Sequence, residues 1–579
     1  MVEDTTKTTD DAKVADSSTE RAAVQKLYSA IEDADRFLQP QRDQRYAALR
    51  ALAGPRYEGQ ENYIEGYDFK QPANILFMVA SSLRPSLSLS GFKSDVVSIH
   101  SETRAFGDRF GQATDRRLLE AGALEPVNMA IFDAFTMFGV VKVAEDEERG
   151  LEVTRISPND YFIDPRARYH SDHRKAFEGH RFMVNVEAAE NGEIADFDED
   201  ALKIIRNLSE NKNNVTSDST TDAIGRGEYA PEVELQEVYL PHEGDNGKIV
   251  WMPAGQSPGA DDAYLLEQDW DGHEDGPYAM LRFFSMPDTI KGVALLPMLY
   301  DLHLLENTIS RRIANDTVNR KELVNFQTSN PTDREILRKS NHGDLIAIDA
   351  EIANVKIAGV DPEDFASYQH FMETVNHISG NAELVGGTSS QSKTLGQDQM
   401  LMANANVRIA DMMEAVIRMA SEVVQKVGWY VWHDDEYATD LTISLGHGFE
   451  VLVPWEPGER EGEWTDYDMT LSAAAIGLQS QDDKLNRLAD WLNRFALPLA
   501  PGAAQQGSFI GADAVTNEAA RLAGIEIADD AWVEGTPAAV PESSAPQVAG
   551  PGGATLPRGV ARDVGADLAT AAVEGASDA

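Results

Sequence analysis

Residues 291 to 321 (KGVALLPMLYDLHLLENTISRRIANDTVNRK) set Leu295, Leu299, Leu302, Leu305, Ile309 and Ile313 at spacings of three and four. That period predicts a helix, a rod of about 45 Å at 1.5 Å per residue. Pro297 stands near its start, where a proline is tolerated. A second helix is predicted from Asp361-Pro362 to 379, with Phe365, Tyr368, Met372, Val375 and Ser379 on one face. A third, over 395 to 433, carries Leu401, Ile409, Met412, Val416, Val423 and Val427 and would be about 60 Å long. Between the first two lies a short mixed module, 323 to 360. Asn330-Pro331 offers a cap and first-turn proline to a small helix, TDREILRKS, and HGDLIAID and NVKIAGV read as two short strands. Rods this long carry more apolar face than one chain can cover, which predicts packing against neighbouring copies in a ring or other oligomer.

Helical spacing also runs over 20 to 53, broken by Pro40, and over 72 to 85, 102 to 121 and 125 to 138. The pattern then turns strand-like at Val140 to Val143 and Leu151 to Ile156, at 178 to 186 and 232 to 240, and at Lys248 to Met252 with Tyr264 to Gln268 around a Pro-Gly loop. After the third long helix, TDLTISL and FEVLVPW flank a Gly-His-Gly turn and predict a hairpin over 439 to 455; one or two helices are expected between 466 and 525. Residues 1 to 18 lack an apolar period and are rich in Thr, Asp and Ser, so disorder is expected there. From Gly535 the chain is Pro, Ala and Gly without apolar period, with the same expectation. No internal repeat is visible. The fold class expected is α+β and helix-rich.

The chain of 579 residues exceeds one typical core. Its 97 acidic and 50 basic residues give a formal charge of −47, a surface that repels phosphate backbones and argues against tight electrostatic binding of nucleic acid. It contains no cysteine, which removes disulfides, thiolate metal sites and thiol catalysis. No apolar run approaches membrane-spanning length, and the polar, acidic start MVEDTTKTTDDAK does not read as a secretory signal. A soluble protein of a reducing compartment is expected.

Each motif that suggests chemistry has a physical fault. VGGTSSQSKT, 385 to 394, reads G-x-x-x-x-S-K-T from Gly387, one residue away from a phosphate-cradling loop. The glycine whose backbone N–H should help converge on the anion is replaced by Ser392, and a helix rather than a strand precedes it. A Gly/Ser-rich mobile connector between two helices is the favoured reading. Gly255-Gln256-Ser257-Pro258-Gly259 matches a hydrolase elbow, but the oxyanion N–H would fall on Pro258, which has none. Asp269, Asp271 and Asp275 lack the glycine position and closing glutamate of a calcium loop and read as a solvated acidic turn. His370 and His377 lie seven apart and read as helix-surface or helix-contact residues. Met400, Met402, Met412, Met413 and Met419 read as packing residues on a long helix. No catalytic residue, cofactor or metal is expected, and no enzyme.

The order helix, small module, helix, loop, long helix resembles the portal proteins of tailed bacteriophages, the head-to-tail connectors. ISPNDYFIDPRA (156 to 167) looks like the portal signature in which a strand and a proline precede an acidic-aromatic pair and an Asp-Pro turn. LLPMLYDLHLLENTISRRIAND (295 to 316) is similar to the portal helix that leads into the stem, and SKTLGQDQMLMANANVRIADMMEAV (392 to 416) to the Thr-initiated helix after the tunnel loop. The resemblance covers roughly residues 60 to 500.

It implies a subunit with wing, stem, clip and crown regions. The wing would span 19–290 with a hairpin at 436–465, the stem helices 291–322 and 361–379, the clip 323–360, the tunnel loop 380–394, the long helix 395–435 and crown-like helices 466–534, between tails 1–18 and 535–579. Such subunits form a non-enzymatic ring, usually a dodecamer, at one capsid vertex, through which double-stranded DNA is packaged and ejected. The partners implied are the large terminase, which carries the ATPase, a head–tail adaptor, the major capsid and scaffolding proteins, and the DNA itself. The ring is assembled in the host cytoplasm and resides in the virion. Gly386, Gly387, Thr388, Ser389, Ser390, Gln391, Ser392 and Lys393 would face DNA, and Arg334, Arg338 and Lys339 would face the terminase, although a solvated helix face explains those three equally well. Another structural virion component, a tail-tube or minor capsid protein, and a nucleotide-driven motor subunit are the competing readings.

Overall fold

The computed structural model describes residues 6–54, 74–146, 150–210, 231–255, 264–319, 321–326, 352–357, 362–380, 395–444 and 450–472, together with a few isolated positions up to 498. The chain divides into two units, Met1–Ile510 and Gly511–Ala579; the second lies outside the described residues, as does the whole C-terminal segment 535–579. Within the first unit the architecture is mixed: among the described residues, nine helices and sixteen strands in small antiparallel sheets. No described helix is long and apolar enough to cross a membrane.

Helix α1 (Thr6–Ala53) is continuous and passes through Pro40. Two expectations are corrected here. The helix starts inside the polar segment 1–18 that composition marked as disordered, and Pro40 does not break it. Pro40 is exposed, so water can take the carbonyl that its missing N–H leaves free. The buried stripe Val24, Ile31, Ala34, Leu38, Arg42, Arg45 and Ala48 runs on past it at helical spacing.

Helices α2 (Ile75–Leu87), α3 (Arg104–Glu120) and α4 (Leu124–Thr136) follow. Asn74 caps α2 by accepting from Phe77 N–H at 3.0 Å. Strand β1 (Ser94–Ser98) lies between α2 and α3. β2 (Gly139–Asp146) and β3 (Gly150–Ile156) form the expected hairpin, joined by β9 (Tyr278–Leu281) into a sheet ordered β3-β2-β9. Gly139 lets β2 leave α4 tightly: a Cβ there would sit 2.0 Å from the Ala130 carbonyl oxygen.

The second sheet orders β4 (Tyr161–Ile163), β5 (Glu178–Asn185), β6 (Glu232–Leu240), β7 (Lys248–Pro253) and β8 (Leu266–Asp269). Short helices α5 (Val186–Glu190) and α6 (Glu199–Glu210) pack near its middle strands. A small ladder, β10 (Phe284–Ser285) with β11 (Gly292–Val293), precedes the first long rod.

That rod, α7, spans Leu295–Asn319, a few residues shorter at each end than the apolar period suggests, because β11 precedes it and β12 (Lys321–Phe326) follows at once. β12 pairs with β13 (Ile352–Ile357), from Lys321↔Ile357 to Phe326↔Ile352. β13 overlaps the predicted NVKIAGV, beginning two residues before it; HGDLIAID lies outside the described residues. Helices α8 (Pro362–Ser379) and α9 (Leu395–His433) come next, with proline at the first position of α8 as expected. The predicted hairpin is present as β14 (Thr439–Ser444) and β15 (Glu450–Trp455).

The stretch after 466 departs from expectation. Residues 467–471 form strand β16 (Tyr467–Leu471), not a helix, and pair with β1 across some 370 residues of sequence, from Ser94↔Leu471 to Ser98↔Tyr467. Its burial alternates, with Tyr467, Met469 and Leu471 inward, a period of two that five residues barely register. Most of 473–534 lies outside the described residues.

The largest core gathers α2, α3, α4 and α9 against β2, β3, β9 and β16. On α9 the buried residues Met412, Val416, Met419, Val423 and Val427 recur at three and four, so Met412 and Met419 are packing residues and Met413 is half-buried. An aromatic cage closes this core: Phe106 and Phe110 of α3 meet Trp432, Trp455 and Tyr467 at centroid distances between 5.4 and 5.9 Å.

Candidate functional site in the helical arm

Helices α7 and α8 pack against each other, with the β12–β13 ladder joining their near ends. Both termini of α8 are held electrostatically. At its start Arg312 of α7 pairs with Asp364 at 3.0 Å, a carboxylate well placed for the helix dipole. At its end the Arg408 guanidinium of α9 donates to the carbonyls of His377 and of Ile378, the latter at 3.3 Å, which satisfies acceptors the helix leaves open.

The inward face of α7 follows the apolar stripe at its base and departs from it farther along, at Leu305. Leu295, Leu296 and Leu299 are buried, but farther along the buried positions are His303, Glu306 and Asn307. Leu304 is 47% exposed, Leu305 44% and Met298 50%. Phe365 on α8 and Val407 on α9 are also exposed. The sequence stripe assigned Leu305 to the packed face; in the single chain it looks outward.

The buried polar residues of α7 bond within the helix. Asn307 Nδ2 donates to His303 O at 2.8 Å, and Ser310 Oγ donates to Glu306 Oε1 at 2.8 Å. Glu306 Oε2 is buried with no hydrogen-bond partner. Burial pushes the Glu306 carboxyl up, only partly countered by Ser310, and holds the His303 imidazole down at about 4.

Most residues singled out in the sequence fall elsewhere. Gly386 to Lys393 lie outside the described residues, as do Arg334 and Arg338. Lys339 is exposed and pairs with Glu335 one turn back at 3.2 Å, a solvated pair of small energetic weight. His370 and His377 are both exposed on α8. Of the hydrolase-like stretch only Gly255 is described. In DWDGHEDG the acids Asp271, Glu274 and Asp275 face water, whereas Trp270, Gly272, His273 and Gly276 are packed, and Lys426 of α9 donates to Gly276 O at 2.6 Å. The turn is therefore an anchoring point as well as an acidic surface. Among the described residues, no cluster of three or more His, Asp or Glu suits a metal ion.

Sequence reasoning missed a second polar centre, deep in the body and around the 156–167 motif. Glu178 is fully buried and accepts from Tyr161 Oη at 2.7 Å and Lys175 Nζ at 2.6 Å, with His170 Nε2 at 3.0 Å. Burial alone would raise its pKa, but Lys175 and His170 outweigh that and hold it well below the usual carboxylate range. Tyr161 packs edge-on against Tyr278. Tyr278 Oη donates to Glu237 at 3.2 Å and shares a 2.8 Å hydrogen bond with His180 Nδ1, while Lys142 reaches Glu237 at 2.7 Å. Burial lowers His180 to about 4. Beside this chain, Asp133 of α4 is clamped between Arg45 of α1 and Arg155 of β3. These groups satisfy one another in the interior, an arrangement that joins elements rather than one that receives a substrate. An open cleft of about 930 Å³ among the described residues is lined by Arg84, Phe92, Leu119, Met129 and Asp440, among others, and by none of the residues of either centre.

No protein-family model and no curated protein matches this chain. A functional reading therefore rests on the order and faces of its elements.

Proposed function

We propose that this chain is the subunit of a phage portal, a ring at one capsid vertex through which double-stranded DNA is packaged and ejected. The observation that carries the reading is the arm. A rod, a short strand pair, a returning rod and a very long helix follow in the portal order, and the first rod turns Met298, Leu304 and Leu305 outward. Half-exposed leucines beside the buried polar stretch His303, Glu306 and Asn307 need a covering surface, and copies of the same chain in a closed ring supply one without leaving an open end.

In this reading α7 and α8 form the stem, residues 323–360 the clip that meets the large terminase, with Arg334, Arg338 and Lys339 as contacts, and residues 386–393 the loop nearest DNA. The head–tail adaptor and the capsid and scaffolding proteins meet other faces of the ring. The protein performs no chemistry; the ATPase belongs to the terminase. The charge of −47 per chain suits a conduit, because each phosphate gripped by a Lys or Arg gains counterion-release free energy and would hold the DNA in place.

Electron microscopy of the purified protein tests the proposal. A ring with a central hole is expected; a tube or a monomer overturns it. The same preparation should hydrolyse no ATP and should not retain duplex DNA at physiological salt.

A further inference from the structure

Asn-Gly occurs twice in the chain, at 191–192 and at 246–247. An asparagine before a glycine carries its own reactivity. The side-chain amide carbon lies one ring closure away from the next backbone nitrogen, and glycine has no Cβ to shield that nitrogen. How firmly each turn is held decides whether the ring can close.

The two turns are held very differently. Asn246 is half-buried and Gly247 is buried. Asn246 Nδ2 donates to Gly272 O at 2.8 Å, and Asn246 O accepts from Tyr239 Oη at 3.3 Å. Gly247 O accepts from Trp270 N–H at 2.9 Å. The Tyr239 ring packs so closely that a Cβ on Gly247 would stand 2.6 Å from it. Ring closure there requires unpacking Tyr239 and the 270–272 turn.

Asn191 and Gly192 are both exposed and end α5, a helix of five residues. Gly192 takes the left-handed conformation that closes a helix, φ +76°. Glu193 N–H returns to Ala188 O at 3.0 Å, and Gly192 N–H to Ala189 O at a long 3.3 Å. A Cβ on Gly192 would meet nothing within 4 Å, so solvent reaches the turn from outside. The Asn191 amide bonds the exposed Glu193 carboxylate at 3.2 Å. A single helical turn with a solvated cap opens at little cost.

We propose that Asn191-Gly192 is a self-modifying site, at which the Gly192 nitrogen displaces the Asn191 amide while Asn246-Gly247 stays intact. Once the last turn of α5 opens, the Gly192 N–H gives its proton to solvent base and the nitrogen bonds to Asn191 Cγ. The Cγ–Nδ2 bond breaks, ammonia leaves and a cyclic imide forms. Water then opens the imide at either carbonyl. Cleavage at Cγ leaves aspartate. Cleavage at the backbone carbonyl leaves isoaspartate, whose main chain runs through the side-chain carbon. One water enters, one ammonia departs, and nothing is oxidised or reduced. Either product sets a new carboxylate beside Glu193, in a stretch where Glu187, Glu190 and Asp196 are already exposed acids. Isoaspartate also lengthens the backbone inside the two closing hydrogen bonds, so α5 loses its cap. The reaction belongs to the single chain and does not depend on the ring reading.

The test holds the purified full chain in mildly alkaline buffer and samples it over days by brief tryptic digestion and mass spectrometry. Peptides 182–203 and 227–248 carry the two sites. The first should gain the mass of amide-to-acid exchange, in aspartate and isoaspartate forms, and fragment ions should place the change at Asn191 rather than Asn185. The second should convert more than about tenfold more slowly, the factor that about 1.4 kcal/mol of structure to be opened supplies. In urea, where neither turn persists, the two should convert at one rate. Asn191→Gln, which would need a larger ring, should leave the first peptide unchanged. An unconverted Asn191 in the parent overturns the proposal, and so does equal conversion of the two sites in the folded chain.

Discussion

The body and the arm both bury a glutamate, and they treat it oppositely. In the body, Glu178 meets Lys175, His170 and Tyr161, and its carboxylate is held charged. In the arm, Glu306 meets one serine, keeps one oxygen without a partner, and is pushed toward its neutral form. Along the far half of α7 the acid lies inside while Leu304 and Leu305 are about half exposed. Burial alone therefore says little about what a polar residue does. A paired buried charge fastens elements together, and a poorly paired one beside outward leucines marks a surface whose packing is completed elsewhere.

The sharpest way to break this contrast is to remove the body's carboxylate. Glu178→Ala leaves Lys175 buried without its counter-charge and should cost about 3–5 kcal/mol, read as a shift of the urea midpoint. The loss should far exceed that of Glu306→Ala; equal losses would erase the distinction.

Next in size is acid sensitivity. His180, His273 and His303 are all held near 4 by burial, below the ordinary histidine value. The unfolded chain accepts protons that the folded one refuses, so stability is full above about pH 6.5 and falls toward pH 4. Each histidine contributes a slope of up to about 1.4 kcal/mol per pH unit in that window. The carboxylates Glu178 and Glu237, whose pKa values are depressed, lose their contribution only at lower pH. Urea titrations between pH 7 and 4.5 should be visibly flatter in His303→Gln.

A smaller effect on the single chain is expected from Leu304→Asp with Leu305→Asp. Both positions are half-exposed, so stability should move by no more than about 0.5 kcal/mol per site, yet rings should vanish from micrographs. Rings that survive would show that this face is not the contact. The least effect belongs to Lys339→Ala. Its exposed pair with Glu335 should be worth about 0–1 kcal/mol in thermal denaturation.

Much of the fold was legible in the pattern of apolar positions. The helical periods over 20–53, 102–121, 291–321, 361–379 and 395–433 correspond to α1, α3, α7, α8 and α9, and the β2–β3, β7–β8 and β14–β15 hairpins stand where alternation and turn residues placed them. The misses share a cause. β1 and β16 are five residues each and pair across some 370 residues, so neither has a local partner or a period long enough to read. Pro40 ends a helix only where the lost hydrogen bond is unsatisfied, and an exposed position removes that penalty. The polar centre of Glu178, Tyr161, Tyr278 and Glu237 left no motif, because its members come from different strands: register joins those of β4, β5 and β6, and Tyr278 reaches them from β9 of the other sheet.

The sequence by itself determined which segments become rods and which become hairpins, because three-to-four spacing and alternation are local consequences of backbone geometry. It also determined a strongly acidic chain without thiols. The inward face of α9 also followed its stripe, with Ile409, Met412, Val416, Val423 and Val427 buried, whereas along the far half of α7 the tertiary structure decided the face. Of the α7 stripe Leu295 and Leu299 are buried and Leu302 half-buried, yet the neighbours of α7 also cover His303, Glu306 and Asn307 and leave Leu305 open. Periodicity fixes that a face exists; what covers it depends on the elements that long-range pairing brings alongside.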